Sequence, residues 1–292
     1  MKFALIGHPV SHSLSPVIHR AAYRELGLAH EYELIDAPAE ADLVRAVDAV
    51  RSGALAGANV TIPWKRQAFA LADRHSALAL KLGVANVLAL ADGQVVGHNT
   101  DALALETEFR RLVSTPRAIV LGSGGAAPAV VAACRAAGVQ EVWVTARRFL
   151  PTAPESSWPG AAELVQLGAS LIAWPEANAT AKADFDQLCT NAGLLVQCTS
   201  AGMQGADSGE PLAALVPWQK LPEDALAYDL IYAPLETPFL RAARQNARRG
   251  MHGLHMLVGQ AVLSMEIWLG RRPALEPLLE AALAELADRR RV

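Results

Sequence analysis

Apolar and polar positions in the N-terminal part of the chain fall into two alternating rhythms. KFALIG, at residues 2–7, is continuously apolar after its lysine, the pattern of a strand buried on both faces. SLSPVIHRAAYRELG then takes helical spacing, with Ser15 expected as N-cap, Pro16 at the first position and Gly27 as the stop. EYELIDA reads as a second strand, AEADLVRAVDAVRS as a helix, LAGANVTI as a strand ending at Pro63, and KRQAFALAD as a further helix. Strand and helix in turn predict a parallel sheet with helices on both faces. NVLALADGQVVGHN breaks that order: two apolar runs flank Asp-Gly, a hairpin signature, and DALALETEFRRL opens a helix at Asp101, where a first domain is expected to end.

A second alternating series begins with RAIVLGSGGAAPAVVAACRAAG and continues through the strand patterns EVWVTA, SLIAW, LLVQCTS and LAYDLIY. FLPTAPESSWPGAA, rich in proline and small residues, reads as a loop leading into a helix. TPFLRAARQNARRG and GLHMLVGQAVLSMEIWLG are helical patterns expected to return to the first domain. The expected fold class is α/β, with two α/β domains and a cleft between them. The length of 292 residues agrees, since it exceeds the roughly 100 to 200 of one domain.

Charge narrows the partners. The 26 Lys and Arg and 29 Asp and Glu are spread without runs of one sign, the formal net charge is -3, and aromatic residues are 5% of the chain, so no nucleic-acid footprint is present. MKFALIGHPVSHS has too short an apolar run for a signal peptide, so a cytoplasmic chain is expected, in which Asn59-Val60-Thr61 and Asn178-Ala179-Thr180 are not glycan acceptors. Cys134, Cys189 and Cys198 form no C-x-x-C pair and read as buried, inert thiols, with neither disulfide framework nor metal site. Residues 118–134 lack charge but are interrupted by Gly122, Gly124, Gly125 and Pro128 and are too short to span a bilayer.

Two stretches carry chemistry. VLGSGGAA follows a strand and precedes a helix, the context in which glycines let backbone N–H groups approach a pyrophosphate; Ala127 stands where the third glycine of G-x-G-x-x-G would be. The bland reading is a tight turn without a ligand. The next strand ends in Ala146, Arg147 and Arg148 with no acid for a ribose hydroxyl, and two guanidiniums suit a 2′-phosphate, so NADP is preferred to NAD. Lys65 and Asp101 both lie at predicted strand-to-helix transitions, the strand edge at which open α/β sheets bind ligands; an ammonium beside a carboxylate can share a proton and serve as acid and base.

SHSLSP, NVTIPWK, GVANVL, GHNTDA, GSGGAA, CTSAGM, YDLIYAPLETPFL and GLHMLVGQA, in this order, resemble the motif series of the shikimate dehydrogenase family over nearly the whole chain. That resemblance implies an NADP-linked enzyme interconverting 3-dehydroshikimate and shikimate on the route to chorismate and the aromatic amino acids. It implies a substrate domain of residues 1–101 completed by C-terminal helices within 238–292, and a central NADP-binding, Rossmann-like domain of residues 102–237. It makes Lys65 and Asp101 the catalytic pair. Ser13 and Ser15 would hold the substrate carboxylate, and Thr61, Asn86, Tyr232 and Gln260 would bind the carboxylate or ring hydroxyls. Gly122, Gly124, Gly125, Ala126, Arg147, Arg148, Thr199, Met203, Gly253 and Met256 would hold the cofactor. The partners implied are small molecules, in a monomer or homodimer, with no metal.

Each of these residues also has a bland reading: the serines as helix caps, Asn86 and Thr61 as turn satisfiers, Gln260 as a helix-face amide, Met203 and Met256 as core. Three departures from the family pattern stand out: Val87 replaces a threonine after Asn86, Ala146-Arg147-Arg148 replaces Asn-Arg-Thr, and Gln197 replaces an asparagine. Val87 leaves a quinate/shikimate dehydrogenase, or a paralogue for a related cyclohexene acid, as the alternative; a non-catalytic NADP sensor and a methylene-tetrahydrofolate dehydrogenase fit the motifs less well.

Overall fold

The computed structural model describes residues 1–289. The chain forms two compact units: Met1–Ala104 with the described residues from Leu257 onward, and Leu105–Met256. The first boundary thus falls three residues beyond the expected 101. The C-terminal completion of the first unit starts at 257, not 238, because the intervening helix and strand belong to the second unit's own sheet and core.

In the first unit β1 (Lys2–Gly7), α1 (Ser15–Glu25), β2 (Glu31–Asp36), α2 (Glu40–Arg51), β3 (Gly57–Val60), α3 (Lys65–Leu71), β4 (Arg74–His75), α4 (Ala77–Leu82), β5 (Val87–Ala91) and β6 (Gln94–His98) follow in order, and α5 (Asp101–Leu112) begins in it. The sheet order is β2-β1-β3-β5-β6-β4. β1 pairs in parallel with β2 and β3, as does β4 with β6, whereas β5 is antiparallel to β3 and β6. The reversal comes from the Asp-Gly turn: Ala91 pairs with Gln94, and Asp92 (φ 52°) and Gly93 (φ 73°) both take the left-handed conformation of a type I′ hairpin.

Central strands are buried on both faces, as a continuous apolar run demands. β1 carries Ile6 and β3 carries Ala58 and Val60 into a core closed by Leu43, Val47 and Val50 of α2 and by Leu88. On the other face Phe3 stacks on Trp268 with ring centroids 4.7 Å apart. A side chain at Gly57 would come within 2.4 Å of the Trp268 indole nitrogen, so only bare backbone fits there. Two local expectations are corrected. Leu14, not Ser15, is the N-cap of α1, which makes no side-chain cap; Ser15 is its first residue, and the Ser13 hydroxyl accepts from the Ser15 N–H at 3.1 Å. β3 ends at Val60, short of Pro63, because the Trp64 N–H turns back onto the Thr61 carbonyl.

The second unit contains β7 (Arg117–Leu121), α6 (Ala127–Ala136), β8 (Glu141–Thr145), α7 (Ala161–Gln166), β9 (Ala169–Ile172), α8 (Ala179–Cys189), β10 (Leu194–Gln197), α9 (Glu210–Leu215), β11 (Leu226–Asp229), α10 (Pro238–Gln245) and β12 (Arg249–His252). Its sheet is parallel throughout, in the order β12-β11-β10-β7-β8-β9. The first strand lies in the middle and the chain winds outward from it in both directions, the doubly wound order of dinucleotide-binding folds. Ile119, Leu121, Phe185, Leu195, Trp218 and Phe239 are among the residues that fill one face. α11 (Leu254–Leu269) follows, and α12 (Leu275–Arg289) packs on α1. Sequence reasoning did not assign β4, α4, β12 or α12. β12 is RGMH, half exposed and without an apolar run, so periodicity could not mark it.

Candidate active site

In the first unit two helix starts present opposite charges. Thr61 to Trp64 make the turn that launches α3, and Lys65 is its first residue. Asp101 is the first residue of α5, whose start is fixed by Asn99: its side-chain oxygen accepts from the Ala102 N–H at 3.1 Å and its amide reaches the Val84 carbonyl at 3.3 Å. A carboxylate at a helix N-terminus is also favoured by the helix dipole. Lys65 Nζ donates to Asp101 Oδ2 at 2.7 Å, with side chains only 15% and 7% exposed.

Asn86 completes this cluster. Its amide donates to the other Asp101 oxygen, Oδ1, at 2.9 Å and to the Thr100 hydroxyl at 2.9 Å, while its own oxygen takes the Thr100 N–H at 2.7 Å. Gln260 Oε1 lies 3.5 Å from the Asn86 amide, and Gln260 Nε2 donates to the Leu257 carbonyl. Both Asp101 oxygens are therefore directed, which fixes the carboxylate relative to the ammonium. A buried pair without such partners would cost more than it returns. Lys65, Asp101, Asn86 and Gln260 thus converge on one cluster.

Ser13 and Ser15 form a second group in the same unit, the Ser13 hydroxyl donating to the Ser15 oxygen at 3.1 Å. Thr61 is part-buried, and its methyl fills the space over Gly7: a side chain there would approach it to 2.3 Å. Val87, the departure from the family pattern, is fully buried in β5 opposite Asn59. Of the substrate candidates only Tyr232 lies in the second unit. Asp229 shapes the segment that carries Tyr232: its carboxylate takes the Ile231 N–H at 2.9 Å and the Thr237 hydroxyl at 2.6 Å, and burial pushes its pKa up to about 6 against those two bonds.

The second unit carries the glycine loop at the C-terminal end of β7, beside β10, which is the point where the strand order reverses and where ligands bind in open α/β sheets. Gly122 has φ +116°, and a side chain on it would lie 2.8 Å from the Thr199 methyl and 3.1 Å from the Cys198 backbone. Around Gly124 and Gly125 nothing lies within 4 Å of where a side chain would stand, so the backbone there is open in front of Ala126 and α6. That cradle fits a pyrophosphate, with α6 behind it to supply a helix N-terminus. Thr199 caps its own turn by accepting from the Ala201 N–H, and fully buried Gln197 reaches the Ala201 carbonyl and the Thr199 N–H.

The two arginines after β8 differ. Arg147 is exposed and pairs with Asp207 at 3.1 Å, a solvent-screened contact of small worth. Arg148 donates to the Ser123 hydroxyl at 2.8 Å and to the Ser123 carbonyl, bracing the glycine loop. Met203 is 38% exposed and Met256 part-buried, so neither is deep core. Gly253 is required by close approach: a side chain would meet the Leu230 carbonyl oxygen at 2.2 Å. Among the described residues no cluster of three or more His, Cys, Asp or Glu could hold a metal, and no helix is long and apolar enough to cross a membrane.

Sequence reasoning missed Thr100, Ser123 and Asp229, which touch the candidates rather than being candidates. Their only signal was position, one residue before Asp101, one after Gly122, and three before Tyr232.

A directed lysine–carboxylate pair in one unit and an open glycine cradle on a doubly wound sheet in the other define the class: a dinucleotide-binding α/β protein equipped to handle a proton. The family models agree, the shikimate dehydrogenase substrate binding domain matching residues 5–88 and the shikimate 5′-dehydrogenase C-terminal domain residues 253–283. Shikimate dehydrogenase (NADP(+)) of Methylobacterium radiotolerans is 38% identical over 97% of this chain and 96% of its own, and that of Mesorhizobium japonicum 36% identical over 97% and 95%. The crystal structure of shikimate 5-dehydrogenase from Thermus thermophilus in complex with NADP(H) and shikimate is 34% identical, with a TM-score of 0.80 over 97% of this chain and 99% of its own. A ligand-free 5-ketofructose reductase of Gluconobacter, at 24% identity and a TM-score of 0.79, shares the fold. The chain belongs to the shikimate dehydrogenase family.

Proposed function

We propose that the protein is an NADP-dependent oxidoreductase acting on a CH–OH group, and that it interconverts 3-dehydroshikimate and shikimate in the route to chorismate and the aromatic amino acids. The observation that carries this reading is the Lys65–Asp101 contact at 2.7 Å with Asn86 on the second carboxylate oxygen. NADP, when bound, supplies or accepts the hydride at the ring carbon. In the direction of reduction the Lys65 ammonium gives a proton from Nζ to the ring oxygen, and the resulting amine stays hydrogen-bonded to Asp101; in oxidation the same amine takes the hydroxyl proton. Asp101 holds Nζ in place and balances its charge while it is an ammonium.

Ser13, Ser15, Thr61, Asn86 and Gln260 supply hydroxyl and amide groups suited to a carboxylate and a polyhydroxylated ring, and Tyr232 is assigned to the substrate on the family resemblance. Gly122, Gly124, Gly125 and Ala126 receive the pyrophosphate, Arg147 the 2′-phosphate in exchange for Asp207, and Arg148 holds the loop. Thr199, Met203, Gly253 and Met256 complete the cofactor set. We assign the reaction to the cytoplasm and to a monomer or homodimer; all three cysteines are buried and in no disulfide, which suits a reducing compartment. No observation favours the quinate alternative, since Val87 is fully buried. The test is nicotinamide absorbance with purified protein, shikimate or quinate as substrate, and NADP and NAD in parallel. Rapid reduction of NADP by shikimate is expected; no reduction by protein that still binds NADP would refute the assignment.

A further inference from the structure

The turn that presents the two serines of the first unit is held from the other end of the chain. The Ser13 N–H donates to the Val10 carbonyl at 3.0 Å, closing a tight turn, and Ser15 opens α1 two residues later. His12 and Ser13 lie between β1 and α1, so their carbonyls belong to neither ladder. Arg289, at the end of α12, reaches both: Nη1 donates to the His12 carbonyl at 2.7 Å, and Nη2 lies 3.5 Å from the Ser13 carbonyl. Its Nε donates to Glu285 Oε1, one helical turn back, at 2.7 Å, which fixes the plane of the guanidinium.

That reach depends on how α12 lies. Leu278, Ala282 and Leu286, four residues apart on one face, are buried, and the helix packs on α1. Glu25, the last residue of α1, takes the Ala274 N–H at 2.9 Å just ahead of α12. The two helices therefore run antiparallel and are tied at both ends, by Glu25 at one and by Arg289 at the other. The arginine end bears on the site. Across the turn it holds, the Ser13 hydroxyl donates to the Ser15 oxygen and accepts the Ser15 N–H, each at 3.1 Å, so a rotation of the Ser13 peptide would separate the two hydroxyls.

We propose that Arg289 is a positioning residue for substrate binding: from the end of α12 its guanidinium holds the His12 and Ser13 carbonyls and so fixes the turn that presents the two serine hydroxyls. This role rests on the assignment of Ser13 and Ser15 to the substrate carboxylate. Arg289 acts through the turn and needs no contact with substrate. Glu285 balances its charge, so what the residue contributes is a planar fork of donors, which a lysine does not reproduce.

The experiment is shikimate binding by calorimetry, with KM, kcat and melting temperature beside it, for the wild type, Arg289→Ala, Arg289→Lys and Glu285→Ala. Arg289→Ala is expected to weaken shikimate binding about three- to tenfold, the size of one lost hydrogen bond, with kcat changed less and NADP binding and melting temperature kept. Arg289→Lys, which retains the charge without the fork, should recover only part of that loss. Glu285→Ala separates position from charge: it frees the guanidinium and leaves the surface more positive, so it should weaken shikimate binding where simple attraction of a carboxylate would strengthen it. Unchanged binding in Arg289→Ala, full recovery in Arg289→Lys, or tighter binding in Glu285→Ala would overturn the inference, while wild-type binding and turnover of shikimate leave the assigned reaction standing. If the wild type neither binds nor oxidises shikimate, the assigned reaction fails and the role of Arg289 fails with it.

Discussion

At the scale of single residues, function here depends on side chains whose second contacts are fixed. Lys65 meets Asp101, Asp101 meets Asn86, and Asn86 is held by Thr100 through both ends of its amide. The opposite case is Arg147, exposed and held only by an exposed carboxylate, which is what a group awaiting a phosphate should look like. Arg147→Ala should raise KM for NADP by about ten- to a hundredfold, the loss of a charge-assisted bond, and leave KM for NAD nearly unchanged. Steady-state kinetics with the two nucleotides checks this; equal effects on both would show that the guanidinium does not read the 2′-phosphate. The pairing of Lys65 with Asp101 was legible only through the family resemblance, because a separation of 36 positions leaves spacing silent about contact. The roles of Arg147 and Arg148 were read as alike from sequence and are not alike, since only the fold shows Arg148 turned back onto Ser123.

At the scale of elements, the glycine loop separates two requirements that one motif encodes. Gly122 is demanded by the fold itself, having a left-handed φ and no room beside Thr199, whereas Gly124 and Gly125 face open space and matter only once a ligand arrives. Gly122→Ala should therefore lower the melting temperature and weaken NADP binding together, the strain being on the order of 1–3 kcal/mol. Gly124→Ala should keep the wild-type melting temperature and lose NADP affinity alone. Thermal melts with and without NADP distinguish the two; equal destabilisation in both variants would contradict the division. Elements with strong rhythm were legible in the sequence, including the Asp-Gly hairpin and the α5 start at Asp101. Short or polar ones, β4 and β12 above all, were not, because two to four residues without an apolar run carry no period.

At the scale of the molecule, two buried titratable groups, one from each unit, have opposite consequences for stability. His19, in the first unit, is pushed down to a pKa of about 3 by burial. Between its ordinary value of 6.5 and about 3 the unfolded chain takes a proton that the folded one refuses, so this contribution to stability is present above 6.5 and is lost as pH falls. Asp229, in the second unit, is raised from 3.8 to about 6, so the folded form binds the extra proton and stability is lost as pH rises through that window. His19→Phe, which preserves an aromatic stack on Tyr32, should abolish the acid-side decline of the first unit's stability, a loss on the order of a few kcal/mol. Urea titrations from pH 7 down to pH 4 measure it; an unchanged slope would show that another group governs the decline. The two-unit α/β organisation was legible from the alternation of strand and helix. The strand order within each sheet was not, since it depends on pairings between segments far apart in the chain.

The proposed reaction requires Lys65 and Asp101 to act as one device for moving a proton. The most direct test is shikimate-dependent NADP reduction by Lys65→Ala, Asp101→Asn and the double variant, with NADP binding measured alongside. Lys65→Ala is expected to bind NADP normally and to turn over about a hundred- to ten-thousandfold more slowly, and the double variant to be scarcely slower than Lys65→Ala alone. Wild-type turnover in Lys65→Ala, or losses that simply multiply in the double variant, would contradict it.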